Sequence, residues 1–290
     1  MRLAILPKRP LRARLHENAR MKIAALQMVS GTEREGNLDA ARALIAQAAA
    51  AGARLVALPE YFCLMGRRDD DKLAIAEQPG AGPIQAMLAQ AAREHGLWLV
   101  GGTLPLAGGD AAHVRNACLV FDPEGRQAAR YDKMHLFAFA QGSERYDEGR
   151  TLEAGSVPVA LQAGALRVGL SICYDLRFPE LYRALMQPPC DLLVVPAAFT
   201  HTTGEKHWEL LLRARAVENQ CYVLAAAQGG RHENGRRTWG HSMIVDPWGE
   251  VLACREEGPG PALAELDLAR IAQVRAQLPA LAHRRIFAAG

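Results

Sequence analysis

Short apolar runs typical of buried β-strands alternate with helical segments along this chain, and this alternation restricts the possible fold more than any other feature. Strand-like runs occupy residues 22–27, 54–59 and 97–104. Helices are predicted at 37–51, where the first residue is a capping asparagine, and at 83–95, where proline suits the first turn. A third helix is predicted from about 206 to 220, because apolar residues recur there at helical spacing. Helices that alternate with strands, combined with hairpins, predict a layered α/β fold with mixed sheets.

The second half of the chain partly repeats the first. The run at 192–196 resembles that at 55–59, and the Asp-Pro-x-Gly turn at 122–125 recurs at 246–249, each time between two strand-like runs. The repetition predicts two sheets of similar build packed together. Because no linker rich in Ser, Gly or Pro divides the chain, we expect residues 21–290 to form a single domain.

The basic charge is concentrated at the start of the chain. Residues 1–20 hold six basic groups and one acid, a net of +5, so the whole-chain charge of +3 leaves 3 − 5 = −2 for residues 21–290. A slightly acidic body without a basic and aromatic stripe argues against a nucleic-acid binder. We expect residues 1–20 to be a disordered extension or a misassigned start, although an Arg-rich, acid-poor segment also suits an organelle transit peptide.

Cysteine usage indicates a reducing environment. The six cysteines of this 290-residue chain are widely spaced, with no C-x-x-C pair and no metal-ligand spacing relative to the nine histidines. A disulfide framework is unusual in a chain with an ample apolar core, so a cytoplasmic location is expected. No apolar run approaches the ~20 residues that span a bilayer, and we expect no membrane partner.

Three reactive side chains stand where predicted strands end. Glu60, Lys133 and Cys173 each follow a strand-like run. Open α/β sheets bind ligands at the carboxyl ends of their strands, so the three groups can meet in one crevice. Taken singly, each has a simpler interpretation: Glu60 as a helix-entry acid, Lys133 as a solvated loop charge and Cys173 as a small buried hydrophobe.

Together the three side chains suit acyl transfer through a thioester. The Cys173 thiolate attacks a carbonyl carbon, and a neighbouring base is needed to generate that thiolate near neutral pH. Glu60 takes the thiol proton and later delivers it to a leaving amine. Lys133 and the backbone N–H of Tyr174 stabilise the oxyanion of the tetrahedral intermediate. Hydrolysis of the thioester completes the reaction.

These residues lie in three motifs that resemble the nitrilase superfamily of carbon–nitrogen hydrolases. The motifs are Leu-Pro-Glu at 58–60, Tyr-x-Lys-x-His-Leu-Phe at 131–137 and Cys-Tyr-Asp-x-Arg-Phe-Pro-Glu at 173–180, within a resemblance that covers roughly residues 21–287. The resemblance implies an α/β fold built as a four-layer αββα sandwich of two mixed β-sheets. It also implies a homodimer or higher homo-oligomer and no metal or organic cofactor.

The same resemblance implies a second glutamate after the lysine. Glu148, in Tyr-Asp-Glu-Gly-Arg at 146–150, matches it and is expected to orient Lys133 or the substrate amide. A plain loop acid is the alternative interpretation of Glu148.

Within the superfamily, the second half of the chain most resembles the deaminated glutathione amidase branch, which releases 2-oxoglutarate and cysteinylglycine. The segments that carry this resemblance are 199–204, 207–220, 225–231 and 240–242. The nearest alternative is the ω-amidase branch, which hydrolyses 2-oxoglutaramate to 2-oxoglutarate and ammonia through the same acyl group. Amidases of N-carbamoyl amino acids or aliphatic amides, and nitrilases proper, remain open because all use Glu, Lys and Cys.

A keto-acid carboxylate in the substrate calls for a cation. Arg177, four residues past the nucleophile, is the first candidate because guanidinium binds carboxylate bidentately. Thr200 and Thr203 are candidate hydroxyl donors to the substrate, and Phe199 is a candidate wall of the pocket. In the structural alternatives, Arg177 pairs with Asp175 or a neighbouring subunit, and the threonines cap the following helix.

Two other interpretations of Cys173 are less well supported by the sequence. A papain-like Cys–His hydrolase needs its nucleophile in a different local sequence, so His135, His207 and His241 are not expected to act as the base. A redox sensor built on Cys173 needs a resolving cysteine, for which Cys190 is the nearest in sequence.

Overall fold

The structure is a computed structural model that describes residues 20–142 and 144–286. The predicted extension at 1–20 therefore lies outside the described residues except for Arg20, which already belongs to the first strand. Strand β1 (Arg20–Gln27) pairs antiparallel with β17 (Gly260–Asp267) along its whole length. No helix in the described ranges is long and apolar enough to cross a membrane.

Seventeen strands and six α-helices are described between residues 20 and 286. Besides β1 and β17, the strands are β2 Leu55–Ala57, β3 Trp98–Val100, β4 Leu104–Ala107, β5 Val114–Phe121, β6 Gln127–Asp132, β7 Ala138–Gln141, β8 Glu144–Asp147, β9 Ala160–Ala163, β10 Leu166–Leu170, β11 Leu192–Ala197, β12 Tyr222–Ala227, β13 Gly229–Arg231, β14 Arg237–Trp239, β15 Ser242–Val245 and β16 Val251–Arg255. The helices are α1 Arg34–Ala50, α2 Asp71–Ala74, α3 Pro83–His95, α4 Pro179–Leu185, α5 His201–Asn219 and α6 Leu268–Gln277.

Two large mixed sheets form the centre of the molecule. The first has the order β17-β1-β2-β3-β5-β4 with β6 also on β5, and the second has the order β16-β15-β12-β11-β10-β9. In the first sheet, β1, β2 and β3 are parallel and an antiparallel hairpin, β5–β6, follows. The second sheet repeats this plan with β10, β11, β12 and the hairpin β15–β16. The predicted pair of similar sheets is therefore confirmed.

The two hairpin turns explain why the Asp-Pro-x-Gly motif occurs twice. The Oδ1 atom of Asp122 accepts hydrogen bonds from the backbone N–H groups of Glu124 and Arg126. Asp246 Oδ1 accepts the equivalent bonds from Trp248 and Glu250. Aspartate stabilises such turns by bonding to backbone N–H groups just ahead of it.

The core lies in two layers on either side of the first sheet. Alternate residues of β1 point to opposite faces, as strand geometry requires. Ile23 and Ala25 face the second sheet and join the larger apolar cluster between the sheets. Ala24 and Leu26 face α1 and α3 and join the smaller cluster. With α4 and α5 covering the other side of the second sheet, the layers run α-β-β-α as expected.

Two predicted helix starts are wrong. Helix α1 begins at Arg34, and the side chain of Asn37 is not its cap, because Asn37 bonds to the backbone N–H and C=O of Gly31 and to the C=O of Cys63. Helix α5 begins at His201, several residues earlier than predicted, and Thr200 Oγ1 caps it by accepting a bond from the N–H of Thr203.

The predicted strand at 97–104 divides into β3 and β4. Gly102 separates them with φ +56°, a left-handed conformation that glycine adopts without cost. A Cβ there would lie 2.2 Å from the carbonyl oxygen of Pro59. The break thus lets the chain pass close to the residue that precedes Glu60.

Candidate active site

Glu60 follows β2 and is buried between the two sheets. Its Oε1 accepts hydrogen bonds from Lys133 Nζ at 2.8 Å and Asn116 Nδ2 at 2.9 Å. Its Oε2 accepts one at 3.0 Å from the backbone N–H of Ala198, which stands just past β11, the strand of the second sheet that corresponds to β2. Burial raises the pKa of Glu60, and Glu148 raises it further, while Lys133 opposes both effects. The carboxylate is therefore rigidly held and more basic than usual.

Lys133 follows β6 and is fully buried between two carboxylates. Its Nζ lies 2.8 Å from Glu60 Oε1 and 3.0 and 2.8 Å from the two carboxylate oxygens of Glu148. Burial favours the neutral amine, but the charges of Glu148 and Glu60 outweigh it and raise the pKa of Lys133 well above its ordinary value. The side chain is thus an ammonium with a fixed direction.

Glu148 opens a 3₁₀ turn (Glu148–Arg150) and is fixed by three donors. Besides Lys133, it accepts bonds from the hydroxyl of Tyr61 at 2.8 Å and the backbone N–H of Phe137 at 2.7 Å. Burial opposes ionisation here, but Lys133 prevails and lowers the pKa of Glu148. The structure brings Glu148 to Lys133 as predicted, whereas nothing in the sequence pointed to Tyr61.

Cys173 stands at the start of a short 3₁₀ helix (Cys173–Arg177), three residues past the end of β10. Its φ of +48° is a left-handed conformation that costs a non-glycine residue free energy and is concentrated at functional sites. The thiol is buried and lies beside the carboxylate of Glu60, with which it lines the same cavity. Burial raises the pKa of Cys173 well above the ordinary value, and the negative charge of Glu60 raises it further. The resting group is a thiol whose proton faces a base.

A buried aspartate joins the loop of Lys133 to the loop of Cys173. Asp175 accepts bonds from the Tyr131 hydroxyl at 2.7 Å, from the backbone N–H of Ile172 at 2.8 Å and from His135 Nδ1 at 2.7 Å. The His135 ring in turn stacks on Phe178 with centroids 3.7 Å apart. These contacts give His135 and Asp175 a positioning role, and they leave Asp175 bonded away from Arg177, contrary to the predicted structural alternative for that pair.

Two cavities of unequal size meet at Cys173. The wider encloses about 860 Å³ of space out to its open mouth and lies over Glu60 and Glu148. The narrower encloses about 210 Å³, and Arg177, Phe199 and Thr203 line it. Each cavity is bordered by Cys173 and Thr200. The structure therefore places all four predicted substrate contacts at the site, three of them on one side of the thiol.

The predicted carboxylate ligand Arg177 is held by aromatic rings rather than by an acid. Its guanidinium lies 5.2 Å from the ring centroid of Phe199 and 5.8 Å from that of Tyr174, and Nη1 is 3.1 Å from His207 Nδ1. Cation–π contacts of this kind orient a guanidinium without neutralising it. Thr200 and Thr203 bond to each other at 2.9 Å, so the capping interpretation holds for Thr200 even though it also borders both cavities.

Sequence reasoning missed the cations of the wider cavity. Lys72 of α2 and Arg236 of the loop before β14 both line it. Neither belongs to a recognisable motif, and loops distant in sequence bring them to the cavity, so no local pattern signals them.

Loss of the Asn116 amide is expected to move the acid limb of the pH profile upward. The acid limb of kcat/KM reports the pKa of the free enzyme's essential base. Because the pKa of Glu60 is raised, this limb is expected above pH 4.3, about the ordinary pKa of a glutamate. Asn116 donates to the ionised form of Glu60, and Asn116→Leu removes that stabilisation, which raises the pKa of Glu60 further. The measurement is kcat/KM from pH 4 to 8. Asn219→Leu, a buried amide elsewhere, serves as control, and a limb that stays in place in Asn116→Leu contradicts the assignment.

A buried thiol, a base and a fixed ammonium at the carboxyl ends of strands in an αββα sandwich define a cysteine hydrolase of the amidase kind. A family model described as carbon–nitrogen hydrolase matches residues 22–276. The chain belongs to the carbon–nitrogen hydrolase family, and it is an amide-cleaving enzyme of that family.

Several relatives of known name resemble the chain closely. A deaminated glutathione amidase of Synechocystis is 45% identical over 90% of this chain and 97% of its own length. The crystal structure of the Caenorhabditis elegans NitFhit protein superimposes with a TM-score of 0.86 at 40% identity, over 92% of this chain and 65% of that longer one. A mutant amidase from Nesterenkonia, with acrylamide added to its active-site cysteine, has a TM-score of 0.74 at 28% identity over 89% and 98% of the two chains.

Proposed function

We propose that the enzyme hydrolyses deaminated glutathione to 2-oxoglutarate and cysteinylglycine. The name of the Synechocystis relative supports this substrate. The observation that carries the chemistry is the Cys173 thiol buried beside the Glu60 carboxylate, which Lys133 binds at 2.8 Å.

The proposed reaction has two halves that share one base. Glu60 accepts the Cys173 proton as sulfur bonds to the amide carbon, and the oxyanion forms beside Lys133 and the N–H of Tyr174. The C–N bond then breaks, the proton on Glu60 passes to the departing amine, and a thioester remains. Water, deprotonated by Glu60, then attacks the thioester and releases the carboxylic acid. The proton on Glu60 returns to the sulfur and restores the thiol. Glu148 keeps Lys133 charged and fixed throughout.

The acyl group is proposed to occupy the narrower cavity. The 2-oxoglutaryl unit ends in a keto-acid carboxylate. The guanidinium of Arg177, which no acid among residues 20–142 and 144–286 pairs with, suits that carboxylate. Thr203 can donate a hydroxyl bond there, and Phe199 forms an apolar wall. This arrangement leaves the wider cavity for the departing amine.

The test compares kcat/KM for deaminated glutathione and 2-oxoglutaramate, with Cys173→Ala protein as the blank. A preference for the larger substrate is expected, since the wider cavity greatly exceeds what ammonia needs. A preference for 2-oxoglutaramate makes the enzyme an ω-amidase instead. Failure on both substrates overturns the proposed substrate, and faster turnover of an N-carbamoyl amino acid or an aliphatic amide identifies its replacement.

We further propose a homo-oligomer that acts in the cytoplasm without a nucleic-acid or membrane partner. Exposed apolar side chains of α5 and the β15–β16 hairpin, which lie against each other, support a subunit contact, because exposed patches of this kind are typical of interfaces. The side chains and their exposed fractions are Leu210 68%, Val217 48%, Trp248 55% and Leu252 40%. Six free cysteines suit a reducing compartment. A single-chain molar mass in light scattering contradicts the oligomer.

A further inference from the structure

The wider cavity has more room than a small leaving group requires. Ammonia is about as large as water, which takes up about 30 Å³ in the liquid. The wider cavity is open to solvent and extends from Cys173 to Arg236 and Arg237, so it has room for an amine larger than ammonia. The charged and polar side chains that line this cavity therefore decide which amine binds best.

The walls carry an excess of positive charge. Away from the catalytic groups, four cations and two carboxylates line the cavity, a balance of 4 − 2 = +2. They are Arg68, Lys72, Arg236 and Arg237 with Asp69 and Asp147. Acids outside the cavity pair with Arg68 and Arg237, which leaves Lys72 and Arg236 as the cations available to a ligand. A cleft lined mainly by one sign of charge attracts ligands of the opposite sign. An anionic group on the departing amine meets this requirement.

Lys72 is the cation with the least compensation. Its half-buried ammonium donates to Thr151 Oγ1 at 2.9 Å and lies 5.9 Å from the ring centroid of Tyr61. Within residues 20–142 and 144–286 it forms no ion pair, although an ammonium has three hydrogens to donate. Burial lowers the pKa of Lys72, and the nearby charge of Arg236 lowers it too, against the opposite pull of Glu148 and Asp69. An anion placed between Lys72 and Arg236 relieves this repulsion.

The guanidinium of Arg236 is held by two contacts that leave some of its N–H donors free for the same anion. Its Nη2 donates to Asp69 Oδ1 at 2.6 Å, and its guanidinium lies 5.3 Å from the ring centroid of Tyr146. A guanidinium has five donors, so one bond to Asp69 leaves others for a ligand. Because Asp69 and Tyr146 already restrict the side chain, little conformational entropy is lost when a ligand binds.

We propose that Lys72 and Arg236 bind the terminal carboxylate of the departing amine, so that the enzyme selects amides whose leaving group is an amino acid or a short peptide. In cysteinylglycine this carboxylate is that of glycine, and this assignment rests on the proposed function. The recognition acts on the part of the substrate that leaves before water attacks. It therefore favours formation of the thioester over its hydrolysis.

The test crosses a change in the substrate with a change in the enzyme. The substrates are deaminated glutathione and its analogue with a terminal carboxamide, which share acyl group and size but differ in charge. Wild-type kcat/KM is expected to be about 10- to 100-fold lower for the carboxamide, the usual effect of a bond between charged groups. In Lys72→Met, the expected loss is about 10- to 100-fold on the carboxylate substrate and much smaller on the carboxamide.

Lys206→Met is the matched control, since Lys206 is an exposed lysine of α5 paired with Glu205 and outside both cavities. It should keep the wild-type preference for the carboxylate. Equal wild-type kcat/KM for the two substrates overturns the inference, and so does an equal loss on both in Lys72→Met, which assigns Lys72 a structural role. If the wild type turns over neither substrate, the proposed function itself is overturned. This outcome differs from the two that overturn only the inference.

Discussion

Cys173→Ala is expected to lower kcat on the order of 10⁵-fold while the protein stays folded. Without sulfur no thioester can form, and the water that would have to replace it has neither the nucleophilicity nor the position of the thiol. Alanine fills most of the same small site, so the melting temperature should change by no more than about 4 °C. The measurements are kcat at saturating substrate and thermal unfolding by circular dichroism.

A second cysteine provides the control for this variant. Cys221 is buried even more completely but lies two residues past the end of α5, outside both cavities. Cys221→Ala should keep near wild-type turnover, which shows that loss of a buried thiol alone is not damaging. Turnover above about 1% of wild type in Cys173→Ala would contradict nucleophilic catalysis by Cys173, because loss of a nucleophile normally lowers turnover much further than that.

Lys133→Met is expected to lower both turnover and stability. The ammonium lies 2.8 Å from Glu60 and 2.8 Å from Glu148, so its removal leaves two buried carboxylates without a counter-ion. Breaking a buried ion pair in this way costs about 3–5 kcal/mol. Loss of the oxyanion ligand should lower kcat about 10²- to 10³-fold as well. Urea unfolding and kcat measure the two effects separately.

A double variant separates the two effects of Lys133. Adding Glu148→Gln to Lys133→Met removes one of the unpaired carboxylates and should recover part of the lost free energy of unfolding. Turnover should stay low, because the cation beside the oxyanion is still missing. If turnover returns together with stability, Lys133 serves only to hold the fold around Glu60.

The main groups of the site could be predicted because acyl transfer demands particular side chains at strand ends. Glu60, Lys133 and Cys173 follow strand-like runs that are visible in the sequence. In the structure Lys133 bonds to Glu60, and the Cys173 thiol lies beside the same carboxylate. The residues that hold these catalytic groups in place could not be predicted in this way. The bonds from Tyr131 and His135 to Asp175 depend on how two distant loops meet, which no local pattern encodes.

The early start of α5 illustrates a second limit of sequence reasoning. Its first turn contains Thr202, Thr203 and Gly204, which are weak helix formers. Tertiary packing overrides that preference, since a Cβ on Gly204 would lie 2.2 Å from the Cβ of Trp239. The glycine that weakens the helix locally is therefore the residue that lets it dock against β14.

The pairing of β1 with β17 has a consequence for the order in which a newly made chain acquires activity. Arg20 pairs with Asp267, so the sheet that carries Glu60 gains its edge strand only after the residues up to Asp267 have left the ribosome. At about 5–20 residues per second, the 207 residues between positions 60 and 267 take about 10–40 s to translate. Cys173 emerges within this interval on the other sheet, and its thiol meets Glu60 only when the sheets dock. The growing polypeptide thus contains all three reactive side chains before they are assembled into an active site.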